Sequence, residues 1–214
     1  MDVLDLLQLM DTSFPNGGHA HSFGLEWLDS QGGLQLEALL RLRLSEHLAR
    51  VELPILRAAH DASDQETLVD LDHLVDVLTP VRELRAASRS IGHSFLRAAT
   101  KLREGGLPAA AAERGVEHQP VAYGAVLRDW EVPLDNGLGA YAMQATRQQL
   151  MAAQRLGRIG QSAVQELLHA LKPAMRAAVD TSLSLPIEEA GAFSPWLDMA
   201  GIRHEQQFAR LFQS

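Results

Sequence analysis

The 214-residue chain has no cysteine. Disulfides, cysteine zinc fingers and thiol nucleophiles are therefore excluded. No apolar run approaches the roughly 20 residues that a membrane-spanning helix requires. The opening Met1-Asp2 is acidic where a secretory leader is basic, so no signal peptide is predicted. Positive charge is short: 19 Lys and Arg against 27 Asp and Glu give a formal charge of -8. Such a chain is a poor general ligand for nucleic acid or an anionic membrane. The expectation is a soluble cytoplasmic protein with neither as a partner. Its 46% hydrophobic content is enough for one sizeable core or two small ones.

Strand signals are also missing. No β-branched run is bounded by turn residues on both sides. Helix formers dominate instead. Leu36, Leu40, Leu44, Leu48, Val51, Ile55 and Ala59 recur at helical spacing. Pro54 sits inside that span and is predicted to kink or split it near Leu53. Ser63 and Glu66 have capping-box spacing ahead of an acidic helix with Asp70, Asp72 and Asp76. Thr79-Pro80 predicts an N-cap and first helical position. The helix that follows carries a basic stripe of Arg82, Arg85, Arg89, His93 and Arg97. The stripe is either a docking face for an acidic partner or the counter-charge to the preceding acidic helix. Repulsion between like charges one turn apart favours the second.

Gly105 to Gly115 reads as a loop with a short Ala-rich turn, and a helix is expected from about Pro120 to Trp130. Pro133 opens the most apolar helix, with Leu134, Leu138, Tyr141, Ala145, Ala152 and Leu156 on one side, and this is predicted to be the core helix. Arg155 to Ala163 can be read as the turn of a helix-turn-helix or as an ordinary glycine junction. The helix after it offers mainly Gln165, Glu166 and His169, few groups for bases or phosphates, which favours the junction. Pro173 marks an expected kink, and Ser194-Pro195 starts a short helix ending near Gly201. Together these patterns predict an all-α, single-domain helical bundle of about eight to ten helices.

Phe14 to Trp27 is the densest run of special residues. Pro15, Gly17 and Gly18 force a turn after a leucine-rich helix, and Ser22 is a plausible N-cap for the next one. One chemical reading makes His19, His21 and Glu26 metal ligands, since two His at i and i+2 lie on one side of an extended segment. That reading would make the chain a metal-dependent helical enzyme. The sequence fixes no third ligand in a dry pocket. The plainer reading is a tight turn whose His residues make surface or interface contacts. No Gly-Lys-Ser/Thr follows, so this is not a phosphate loop.

The same stretch resembles the opening motif of the UreF family of urease accessory proteins through Pro15, Gly17, Gly18, Ser22, Gly24, Leu25 and Glu26. The family usually carries an aromatic where His19 stands, and often another at His21. The far end is similar to the family's closing motif: His204, Glu205, Phe208, Arg210, Leu211, Phe212 and Ser214 match in order. Glu83-Leu84-Arg85, Gly92, Gly124, Arg155-Leu156 and Gly160-Gln161 fall where the family has similar residues. The resemblance covers essentially the whole chain. It implies an all-α, non-enzymatic protein with no cofactor. It also implies a role bridging the scaffold protein UreD/UreH and the GTPase UreG during nickel insertion into the urease apoprotein, with modulation of the GTPase and homodimerisation as further properties.

The chain then divides into a helical domain, 1–201, and a partner-docking tail, 202–214. Arg203, His204, Glu205, Phe208, Arg210, Leu211 and Phe212 are the expected partner contacts. So short a terminal segment cannot bury its apolar side chains within itself. In the isolated protein it is expected to be mobile or borrowed by a neighbouring molecule.

Overall fold

Four aromatic rings set the centre of the molecule. Phe14 packs on Phe95 at 5.3 Å, Phe95 stacks on Tyr123 at 3.6 Å, and Tyr123 meets Tyr141 edge-on at 5.2 Å. These contacts join the first loop to three different helices. The computed structural model describes residues 3–32, 34–192, 194–207 and 210–214. The chain is all-α, with no strand among the described residues. The order is α1 (Val3–Leu9), α2 (Leu25–Ser30), α3 (Leu36–Leu42), a π-helical stretch (Arg43–Glu52), α4 (Leu53–Asp61), α5 (Gln65–Leu78) and α6 (Arg82–Leu102). Then come α7 (Gly106–Glu113), α8 (Gln119–Asp129), α9 (Leu134–Arg155), α10 (Gln161–Ser184) and α11 (Pro195–Glu205). No helix among the described residues is long and apolar enough to cross a membrane.

The kink or split expected near Leu53 is a change of hydrogen-bonding pattern and not a break: the backbone stays helical through Glu52 and Leu53, where the π-helical stretch passes into α4. Pro54 has no N–H to donate and sits in the first turn of α4, with the π-helical stretch ending just before it. The acidic helix starts as expected but through Asp64, whose side chain accepts from the Thr67 amide at 2.8 Å; Ser63 does not cap it. Thr79 closes that helix by donating to the Val75 carbonyl, and Arg85 takes the Thr79 and Pro80 carbonyls. Hence α6 opens at Arg82, two residues after the expected position. Gly106 to Glu113 is a helix where only a turn was expected. Pro173 lies within a continuous α10.

Pro133 is the N-cap of α9, as its position suggested. The most enclosed helix, however, is α8, which is buried from Gln119 to Leu127. It lies between α4 and α6. A methyl group at Gly124 would sit 2.5 Å from the Leu56 carbonyl and 2.6 Å from Ala59 Cβ. One at Gly92 of α6 would sit 2.1 Å from the Glu117 carbonyl, where the chain enters α8. Missing side chains thus let three helices approach. The glycine junction at Gly157–Gly160 lets α10 pack along α9 with Val164, Leu168, Leu171 and Met175 buried. Those residues use α10 as a core helix, and the helix-turn-helix reading gives way.

Most of the basic stripe on α6 is paired within the chain. Arg82 meets Glu205, Arg85 and Arg89 meet Asp76, and His93 meets Glu117. The counter-charge Asp76 lies on the acidic helix just before.

Gly124→Ala is expected to lower unfolding stability by about 1–3 kcal/mol through overpacking. Gly139→Ala, facing open space on α9, should instead raise it by roughly 1 kcal/mol. Urea unfolding of the two variants gives opposite shifts if the close approach at α8 is the cause.

Candidate functional site

The loop after α1 is built as a ledge. Phe14 is driven into the aromatic stack, and Asn16 follows it inward. Asn16 donates to the Tyr123 hydroxyl at 2.9 Å and accepts from the Gly18 amide at 2.9 Å. Gly24, at φ 82, leads into α2 in a left-handed conformation that L side chains rarely adopt. A Cβ there would lie 2.8 Å from Ala200 Cβ, so α11 can sit directly against the ledge. α11 runs past the predicted end near Gly201 to Glu205, and Gly201 lets it lie close to the start of α6, since a side chain there would meet Val81 at 2.9 Å.

The last residues close onto this ledge. The Ser214 main-chain oxygen accepts from the Ser22 amide (2.6 Å), the Phe23 amide (3.1 Å) and the Ser22 hydroxyl (2.8 Å). The Gln213 amide donates to the Ala20 carbonyl at 2.8 Å. His21 Nδ1 lies 2.8 Å from Ser214 Oγ. Glu26 receives three donors: the Leu211 amide at 2.7 Å, the Phe212 amide at 3.2 Å and His204 Nε2–H at 2.9 Å. Gln149 of α9 donates to the Ser22 carbonyl from below. Phe212, only 4% exposed, packs with Leu25, Ala152 and Ala153, and the Arg155 guanidinium lies over its ring at 4.5 Å. The expectation of a mobile tail is corrected: 210–214 is tied down. Its apolar ring finds a socket made by α2 and α9, and its amides find a carboxylate.

The electrostatics follow from burial and partners. Burial pushes the Glu26 carboxyl up, but the donors from Leu211, His204 and Phe212 outweigh it and hold it below its ordinary value. Burial, with the neighbouring His19, pushes the His21 imidazole down to about 4. A second buried carboxylate stands behind the ledge. Glu52, at the end of the π-helical stretch, accepts from the Tyr141 hydroxyl at 2.7 Å and lies 3.1 Å from His47 and 3.5 Å from Arg43. Burial raises it, but His47, Arg43 and Tyr141 together pull it down to about 2. The Arg43 guanidinium in turn lies over the Phe23 ring at 4.6 Å.

The sequence-predicted contacts divide sharply. His204 is fully buried against Glu26, and Phe212 is buried beneath Arg155. Glu205 pairs with Arg82 at 2.9 Å. Arg203, Arg210 and Leu211 face outward, with Arg210 4.0 Å from Glu83. Phe208 lies outside the described residues. The metal reading of His19, His21 and Glu26 is not supported: His19 is exposed, His21 faces Ser214, and Glu26 is committed to the tail and His204. No group of three His, Cys, Asp or Glu that could hold a metal ion occurs among the described residues. The sequence reading missed Gln149, gave no role to Arg43, His47 or Glu52, and gave Tyr141 only a place in the apolar stripe of the core helix. A polar residue inside an otherwise apolar helical stripe was the available signal.

Outside the clasp, α11 is apolar on its far face too. Trp196 is 63% exposed and Ile202 50%, with Met199 between them and Leu211 beside the tail at 54%. Large apolar side chains spaced three apart on one helix face form a presentable surface. The arrangement holds one terminal segment in place and displays another; Glu26 and His204 Nε2 are spent on each other, while the buried His204 Nδ1 has no partner among the described residues.

The pH dependence has a definite sign. His21 binds a proton more readily in the unfolded chain, so stability of the clasp falls as pH drops from 6.5 toward 4. Glu26 contributes above its ordinary value, and that contribution is lost as pH falls below it. Protection factors for hydrogen exchange at the Leu211, Phe212, Ser22 and Phe23 amides, taken against the intrinsic rate at each pH, should therefore fall in acid. His21→Phe should flatten the response between pH 6.5 and 4. An unchanged slope in that variant would remove His21 from the account.

The UreF family model matches residues 32–172 of the chain. The urease accessory protein UreF of Azoarcus sp. (strain BH72) is 34% identical, covering all of this chain and 96% of its own length. That of Marinomonas sp. (strain MWYL1) is 33% identical over 99% of this chain and 94% of its own. That of Ectopseudomonas mendocina (strain ymp) is 33% identical over 98% and 97%. These full-length matches include both the ledge and the tail, which lie largely outside the segment covered by the family model. The relatives all carry the name of urease accessory proteins. The chain belongs to the UreF family of urease accessory proteins.

Proposed function

We propose that the chain is a cytoplasmic adaptor in urease maturation that bridges the scaffold protein UreD/UreH and the GTPase UreG, so that nickel reaches the urease apoprotein. The reading includes action as a homodimer and modulation of the partner's GTPase, as the family resemblance implies. The observation that carries it is the α11–tail unit. The two stretches that match the family motifs meet in one place, and their outer side is left apolar. Trp196, Met199, Ile202 and Leu211 supply a desolvating centre, while Arg203 and Arg210 supply charged groups beside it. Trp, Met and Arg are enriched at the cores of protein interfaces. In this reading Arg203, Arg210 and Leu211 touch the partner. His204, Glu205 and Phe212 hold the tail in the shape that the partner meets.

Met199→Asp/Ile202→Asp is expected to abolish co-purification with UreD/UreH and UreG. Its effect on unfolding stability should stay within about 0.5 kcal/mol, as for other surface changes. Arg210→Ala should weaken assembly without unfolding the chain. Melting and co-purification on the same samples decide the matter. Normal assembly by a folded double variant would place the docking surface elsewhere.

A further inference from the structure

An open groove of about 820 Å³ runs between α1 and α6 and shares no residue with α11 or the tail. Its walls are Leu7, Gln8 and Asp11 on one side, and Ser94, Arg97, Ala98, Lys101 and Leu102 on the other, with Phe14 and Pro15 as floor. We propose that this groove docks an acidic amphipathic helix of a partner protein.

The first argument is charge. Along α6, Arg82, Arg85, Arg89 and His93 each have a carboxylate partner, and so does Arg103 just beyond it. The Arg97 guanidinium and the Lys101 ammonium have none among the described residues, although the chain carries a net charge of -8. The two stand one helical turn apart on the groove wall, where like charges repel. The one carboxylate of the groove, Asp11, accepts from the Ser13 amide and hydroxyl and keeps its charge, so the groove carries two cations against one anion. That excess of positive charge, beside exposed apolar side chains in an acidic protein, complements an acidic ligand.

The second argument is shape and surface. Leu7 is 62% exposed and Leu102 53%, so apolar side chains stand open beside those cations. Both walls are helices, whose backbone groups are paired internally away from their ends. They offer no edge to an extended peptide, so an occupant must satisfy its own backbone, as a helix laid in a groove does. Two cations on an acidic chain are too few to favour a membrane surface or nucleic acid.

The proposal does not rest on the adaptor reading, and its test needs no urease component. The full-length chain is titrated into a fluorescein-labelled peptide of roughly four helical turns. The peptide has Leu at i, i+3, i+4 and i+7 and Glu on the flanks; a counterpart carries Lys in place of Glu. Anisotropy should show saturable binding of the Glu peptide and not of the Lys peptide. Arg97→Glu/Lys101→Glu should weaken the Glu peptide roughly tenfold and admit the Lys peptide. Leu7→Ser should weaken the Glu peptide without adding a charge, and circular dichroism checks that each variant is folded. The proposal is overturned if the Glu peptide fails to saturate, or binds the double variant as well as the wild type. Cosedimentation with phosphatidylglycerol vesicles that the double variant loses, without peptide binding, would assign the groove to a membrane surface and equally overturn it.

Discussion

One carboxylate holds the two ends of this chain together. Glu26 sits in the first turn of α2, where a negative charge is favoured by the helix dipole. It is short of water and would be expensive to bury alone. Three N–H groups from residues 204–212 meet that need. The same bonds satisfy two tail amides that no helix would otherwise pair. Each partner therefore removes the other's desolvation cost, and Phe212 can then be buried, worth about 1.5–3 kcal/mol. Gly24 is the steric condition for all of this. Only without a side chain there can α11 come close enough for His204 to reach Glu26.

Behind the clasp, Glu52 plays a parallel part. It ends a π-helical stretch, an uncommon geometry that shifts residues relative to an α-helix. Arg43, His47 and Glu52 all lie on that stretch, with Tyr141 of α9 completing the set. Removing one partner of a buried ion pair strands the other charge, which is why such clusters are sensitive to single changes. Arg43 also faces the Phe23 ring, so the ledge leans on this cluster from inside while the tail holds it from outside. The clasp is thus continuous with the core.

The helical fold was legible because helix periodicity is local. Leu36 to Ala59 declares its face within a few turns, and Pro54, lacking a donor, marks where the π-helical stretch passes into α4. Helix starts were read less well where two caps competed: Asp64 displaced Ser63, and Thr79 served the helix behind it. The clasp was not legible, because its pairs are 178 to 193 residues apart in sequence. Periodicity carries no information at that range. A sequence shows two imidazoles at His19 and His21 and suggests a chelate. Only the fold shows that one ring faces Ser214 and the other faces out. The tail was judged unable to bury its apolar residues within itself, which is correct for an isolated helix. It failed as a prediction because the socket for Phe212 is supplied by α2 and α9.

That socket also explains how α11 can keep an apolar face exposed. α11 is apolar on both sides. Its inner face, Leu197, Ala200, Gly201 and His204, is used up by the ledge and α6, and its outer face is left over. A helix exposed in this way would be unstable alone. Here the inner face and the tail fix its position, so the ordering entropy is met within the chain before any partner arrives. A change at Glu26 or Gly24 is then expressed at Trp196 and Ile202, residues it does not touch, because the ledge sets where the helix sits.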